Sequence, residues 1–129
     1  MHLLGSPDGI YQWMNGDSSC NIKKEGHRLT LHNSDTIAGS SVTLLESVNN
    51  LLQWSKSSIP SVLLTVTAGP ASMLGLHGIK GTLDVGADAD FVILSERETT
   101  EGKALVIDEV WKFGKRMYQK AHNSSGNDI

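Results

Sequence analysis

The chain is short of most residues that announce a chemistry. It has one cysteine, Cys20, so no intrachain disulfide can form and no Cys-x-x-Cys zinc knuckle exists. Its five histidines (His2, His27, His32, His77 and His122) never pair as His-x-His or His-x-x-x-His. No Gly-x-Ser-x-Gly elbow and no Walker-type loop occurs, which removes the two commonest nucleophile and phosphate motifs. Positive charge is scarce: a formal net charge of −3 gives no electrostatic case for nucleic acid or an anionic membrane as partner. No apolar run approaches the roughly 20 residues a membrane helix needs, and no basic segment with an apolar run behind it opens the chain as a signal peptide would. With one cysteine, these features favour a reducing, cytoplasmic-type compartment. Asn123-Ser124-Ser125 fits a glycosylation sequon but is expected to be idle there. These residues alone therefore offer no complete catalytic set.

What is present divides by pattern. The first 35 residues have little apolar periodicity and many turn signals: Ser6-Pro7-Asp8-Gly9, Asn15-Gly16-Asp17 and Glu25-Gly26. Between them Ile10–Trp13 suits a short strand, and Asn15-Gly16 suits a tight hairpin. Arg28–Leu31 alternates and pairs most simply with Asn21–Lys23. From Ser40 to Ser55 the pattern becomes helical, with Leu44, Leu45, Val48, Leu51 and Leu52 forming one apolar stripe and Thr43 with Glu46 forming a capping box. A second helix starts at Ser58, with Pro60 in its first turn, where a missing N–H costs little. Gly69-Pro70 interrupts it, and a short piece from Ala71 to Leu74 ends at Gly75. Strands are expected at Phe91–Leu94, Ala104–Ile107 and Val110–Phe113, then a turn at Gly114-Lys115 into Arg116–Gln119. The tail from residue 120 is expected to be disordered. Strands, helices and strands in this order do not close into one obvious core.

Two segments are candidates for chemistry. Gly81-Thr-Leu-Asp-Val-Gly-Ala-Asp-Ala-Asp-Phe-Val-Ile-Leu94 reads as a turn, with Gly86 able to take a positive φ, followed by a buried strand. Asp88 and Asp90 could be metal ligands, but without His or Cys nearby they read better as acceptors of hydrogen bonds in the turn. Asp35-Thr-Ile-Ala-Gly-Ser-Ser41 reads as a small-residue loop running directly into a helix N-terminus. Free N–H groups there suit an anionic or oxygen-rich ligand, and Gly39 permits close approach; a plain loop with a serine cap explains the same residues.

Four motifs in order carry a family resemblance: Ile37-Ala-Gly-Ser-Ser41 before an apolar helix; Val66-Thr-Ala-Gly-Pro-Ala-Ser-Met-Leu-Gly-Leu76; the Gly81–Leu94 run; and Trp111-Lys-Phe-Gly-Lys-Arg-Met-Tyr118. Together they resemble the C-terminal part of the N-acetylglucosamine-6-phosphate deacetylases, of the amidohydrolase superfamily. The Ser6–Trp13 start looks closest to fungal members. The Gly-Ala-Asp-Ala-Asp run alone is shared across the superfamily, so the ordered set is the specific signal.

The resemblance implies an α/β fold: the C-terminal fragment of a metal-dependent (β/α)8 barrel plus C-terminal strands of a small β-sandwich. Residues 1–78 would be the incomplete end of the barrel, 79–119 the sandwich strands, and 120–129 the tail. It implies hydrolysis of N-acetyl-D-glucosamine 6-phosphate to D-glucosamine 6-phosphate and acetate, with a divalent metal and an Asp supplying the chemistry. The Glu and two His that hold the metal, and the Asp, would lie before Met1. This chain alone would then bind no metal and be inactive. Only Ile37, Ala38 and Gly39 match positions that contact the amino-sugar phosphate. The parent is expected to be a homo-oligomer without nucleic-acid or membrane partners. Two other readings share these residues: a fragment of a different metal-dependent amidohydrolase, and a non-catalytic binding module derived from one. The fragment reading predicts incomplete burial of Leu45, Val48, Leu52, Val62 and Val66.

Overall fold

A computed structural model describes residues 3–15, 18–100 and 102–121. The chain forms two compact units, divided between Ser47 and Val48. Both are built around antiparallel sheets, giving a mixed α/β architecture.

The first unit is a four-stranded meander. β1 (Gly9–Asn15), β2 (Ser18–Glu25), β3 (Arg28–Leu31) and β4 (Ile37–Ser40) lie in the order β1-β2-β3-β4. The β1–β2 register, with Asn15 opposite Ser18, is that of a tight hairpin, as Asn15-Gly16 predicts; residues 16 and 17 themselves lie outside the described residues. Glu25 lies opposite Arg28, so the β2–β3 turn is Gly26-His27, with Gly26 at φ +57. Period-two alternation places Ile22 and Leu29 inward, where they form a buried cluster with Leu3, flanked by Tyr11 and Ala38. Burying each such side chain is worth about 1.5–3 kcal/mol, so this small core holds the sheet with little to spare. Lys24 shares that buried face. Its stem lies in the core while its ammonium reaches Asp8 Oδ1 (3.1 Å) and the Gly26 carbonyl (2.7 Å).

The structure corrects one element here. Ile37–Ser40 is a strand paired with β3, not a loop running directly into a helix. Cross-strand pairing opposite Arg28–Thr30 overrides the loop-like run of small residues. A register shift between Leu29 and Thr30 leaves Ala38 as the extra residue, because Gly39 faces Leu29 and Ile37 faces Thr30.

Helix α1 (Leu44–Ser55) follows three residues later. Its expected capping box is present: Glu46 N–H donates to Thr43 Oγ1 (3.2 Å), and Glu46 Oε2 accepts from Thr43 N–H (2.7 Å). α2 (Ile59–Leu64) begins as expected, with the Ser61 N–H bonded to the Ser58 hydroxyl and Pro60 in the first turn. α3 spans Ala68–Met73, so it starts earlier than the sequence suggests. Gly69 and Pro70 occupy its first turn rather than breaking it, since Pro at that depth lacks only an N–H that has no helical partner. Gly75 terminates it at φ +71. Of the five stripe residues expected to be incompletely buried, Val48 and Val62 are buried, whereas Leu45, Leu52 and Val66 are half-buried.

The second unit closes with a three-stranded meander: β5 (Phe91–Thr99), β6 (Gly102–Lys112) and β7 (Lys115–Gln119). The two expected strands Ala104–Ile107 and Val110–Phe113 are one strand, β6. The polar Asp108-Glu109 pair looks like a turn but is a bulge: Ile93 faces Glu109, Leu94 faces Ile107, and Asp108 is the extra residue. Its carboxylate accepts from the Ser95 hydroxyl (3.1 Å), and its carbonyl accepts from Lys120 N–H (2.8 Å). The β6–β7 hairpin turns on Phe113 and Gly114, both at positive φ. Of the expected disordered tail, only Lys120 and Ala121 fall among the described residues; the Asn123 sequon does not.

Candidate functional site

Ile37, Ala38 and Gly39 lie on β4, the edge of the first sheet among the described residues. An edge strand keeps one side of its backbone without a neighbouring strand, and those N–H and C=O groups can meet a ligand. Ile37 is 71% exposed, far more than a core isoleucine needs. The strand is pinned at both ends: Leu31 N–H donates to the Thr36 carbonyl (3.0 Å), and Ser41 N–H donates to the His27 carbonyl (2.9 Å). Beyond it, His27 Nε2 lies 3.1 Å from Glu46 Oε1. Two hydrogen bonds from Thr43, through its hydroxyl and its N–H, hold the Glu46 carboxyl below its ordinary pKa.

A cavity of about 360 Å3 opens over the polar face of the same sheet and its β3–β4 loop, lined by Lys23, Arg28, Thr30, His32, Asn33 and Asp35 among others. His32 Nδ1 is buried there without a hydrogen-bond partner among the described residues. The lining charges are partly consumed internally: Lys23 pairs with Glu25 at 2.7 Å.

The Gly81–Leu94 acids have different work. Asp90 Oδ1 accepts the Phe113 N–H (2.8 Å), and its Oδ2 accepts from Lys112 (2.6 Å) and from Lys80. Lys80 also pairs with Asp88 at 2.6 Å. Both ammoniums lie over the Phe113 ring, 4.7 and 4.4 Å from its centre. Lys112, then Lys80 and the Phe113 N–H, hold the Asp90 carboxyl far below the usual carboxylate range; Asp88 and Asp90 push the Lys80 ammonium well above its own. Two ammoniums already neutralise this carboxylate pair, so the residues serve as a lock between turn and hairpin. The sequence showed the acids but not their partners. Lys112 and Phe113 reach Asp90 only once the β5–β6 register, with Phe91 opposite Trp111, is set.

The divalent metal that the resemblance implies finds no site among the described residues, where no group of three His, Cys, Asp or Glu side chains gathers. His27 and Glu46 meet as a pair, but Thr43 occupies the other Glu46 oxygen. No helix among the described residues is long and apolar enough to cross a membrane.

The amidohydrolase family pattern matches residues 22–118, most of the chain. The chain belongs to the amidohydrolase family. It is similar to the N-acetylglucosamine-6-phosphate deacetylase of Bos taurus, with 33% identity over 91 residues covering 70% of this chain and 22% of the relative. A similar match of 29% identity to the N-acetylglucosamine-6-phosphate deacetylase of Vibrio furnissii covers 94% of this chain and 27% of that protein. The chain thus spans between a fifth and a third of the length of these relatives. In fold it is similar to the crystal structure of N-acetylglucosamine-6-phosphate deacetylase from Thermotoga maritima, with a TM-score of 0.68 at 20% identity, covering 92% of this chain and 29% of that one. Within this amidohydrolase chain, the matched segment includes the β4 edge, the Asp90 lock and nearly all of the second sheet, but none of β1.

Proposed function

We propose that this chain acts as the C-terminal segment of an enzyme that hydrolyses N-acetyl-D-glucosamine 6-phosphate to D-glucosamine 6-phosphate and acetate. The observation that carries this reading is that relatives from a mammal and a bacterium share this one name across the matched segment. In this reading residues 1–78 complete a (β/α)8 barrel, and 79–119 supply strands of the accompanying β-sandwich. Exposed apolar side chains support it: Trp54, Met73, Leu74 and Leu83 are each more than 70% exposed, as expected where further protein covers them.

Ile37, Ala38 and Gly39 are the substrate-contacting residues of the proposal. Their open backbone edge offers donors and acceptors to the hydroxyl groups of an amino sugar, and the exposed Ile37 side chain offers an apolar contact. A divalent metal and an acid–base carboxylate come from the rest of the enzyme, so no chemical step is assigned to this chain. The working assembly is proposed to be a cytoplasmic homo-oligomer.

The test joins the 129-residue chain to the part of the Bos taurus relative that the match leaves uncovered. The fusion is expected to release acetate from N-acetylglucosamine 6-phosphate, and the chain alone to release none. Release by the chain alone would overturn the division of labour. A folded fusion that acts only on a different amide would favour another amidohydrolase reaction.

A further inference from the structure

The β4 edge poses a mechanical problem. A strand with a neighbour on one side only, and with a bulge at Ala38, has a weakly determined position. A substrate-contacting backbone must nevertheless be held to within a fraction of an ångström, because small misplacements weaken every contact it makes. The three residues 41–43 that join β4 to α1 show how this is done.

Ser41 is buried, at 3% exposure. Its N–H donates to the His27 carbonyl (2.9 Å), and its hydroxyl donates to the Gly26 carbonyl (3.1 Å). Thr43, at the other end of the connection, gives both its N–H and its hydroxyl to Glu46 Oε2 at 2.7 Å. The second oxygen of that carboxylate, Oε1, faces His27 Nε2 at 3.1 Å. Ring and carboxylate stand there at ion-pair distance, with both side chains about half exposed. His27 therefore grips both ends of the connection, with its backbone at Ser41 and its ring, through Glu46, at Thr43. A two-residue hairpin turn needs no such side chain. Gly26 already supplies the positive φ, and the ring does nothing for the turn itself.

We propose that His27 is a positioning residue: it fixes the Ile37–Gly39 edge where the amino-sugar substrate meets it. The claim rests on the functional reading above. His27 touches no substrate in it and acts through Ser41, Glu46 and the connection they hold. Its loss should weaken substrate binding equally in the ground and transition states, raising KM while leaving kcat nearly unchanged. A purely structural role would instead lower the amount of active enzyme, reducing apparent kcat at constant KM.

The experiment uses the fusion that contains the full chain. His27→Ala is expected to raise KM for N-acetylglucosamine 6-phosphate by about two- to fivefold, the worth of one half-exposed ion pair. His27→Gln, whose amide nitrogen can reach the same carboxylate, is expected to restore most of that loss. Should His27→Ala not fold, His27→Asn, whose amide is too short to reach Glu46, reads the same quantity. An unchanged KM in a folded, active variant overturns the proposal, as does an equal loss in the Ala and Gln variants. An unsubstituted fusion that folds but releases no acetate sinks the functional reading instead, and the positioning role with it.

Discussion

Gly81 sits at φ +73 with its α-carbon pressed against the start of α3. A Cβ there would lie 2.6 Å from the Thr67 carbonyl oxygen and 2.8 Å from the Ala68 nitrogen, both backbone atoms that cannot step aside. Gly81→Ala is therefore expected to destabilise the second unit by at least about 2 kcal/mol, from left-handed strain and overpacking together. Chemical denaturation of the full chain checks this, and a change within experimental scatter would refute the close approach. Asp90 makes a pH prediction. Its carboxyl is held below the ordinary value near 4, chiefly by Lys112, so the stability it adds is complete above that unfolded value. It is lost as pH falls through the lower, folded value. Asp90→Asn should weaken the fold at neutral pH, and the gap between variant and parent in denaturation midpoint should narrow steadily below about pH 4. Parallel curves would show that the lock contributes nothing electrostatic.

At the scale of elements, Asn49 joins helix to sheet. From α1 its amide nitrogen donates to the Leu105 carbonyl (3.0 Å), and its amide oxygen accepts the Leu105 N–H (2.7 Å). β7 pairs only with the second half of β6, from Glu109 onward, so the Leu105 edge has no strand beside it on that side. The Asn49 side chain takes the place of that strand. Leu105 is buried, so removing the amide strands a buried donor and acceptor; Asn49→Leu should cost about 1–3 kcal/mol, measured by denaturant unfolding. Asn49→Asp should cost as much or more, because a carboxylate accepts the N–H but repels the carbonyl. A silent Asn49→Leu would mean that water satisfies this edge. Among the strands, Phe91 stacks on Trp111 across the β5–β6 pair, with ring centres 5.4 Å apart, and this contact fixes the register on which the bulge at Asp108 depends.

For the whole molecule, the apolar surface is the telling quantity. Met73 ends α3, Leu74 caps it and Leu83 lies beyond it, and each stands largely in solvent. A chain left with such side chains uncovered should bind a fluorescent apolar dye and self-associate at micromolar concentration. In the fusion, where the rest of the enzyme covers them, dye binding per chain should fall several-fold, read by titration. Equal dye binding in both would mean that the exposed side chains are not interface residues.

Much of this was legible in the residues. The Thr43–Glu46 box, the Ser58 cap, the Gly86 turn and the β1–β2 and β2–β3 hairpins depend on neighbours a few positions apart, so local chemistry determines them. The ordered motifs likewise sufficed to indicate the family, because they report spacing along the chain. What the tertiary structure decided depends on pairing between distant segments. Ile37–Ser40 became a strand because β3 lies beside it, and Asp108-Glu109 became a bulge because β5 runs opposite. Asp90 acquired two lysines and a backbone N–H from segments 10 to 23 residues away. His27 met Glu46 only after a hairpin and a connection had folded back. Period and capping act within a few residues, whereas register and charge pairing depend on where the chain returns in space. That distinction sets the boundary between what this sequence states on its own and what only its fold can say.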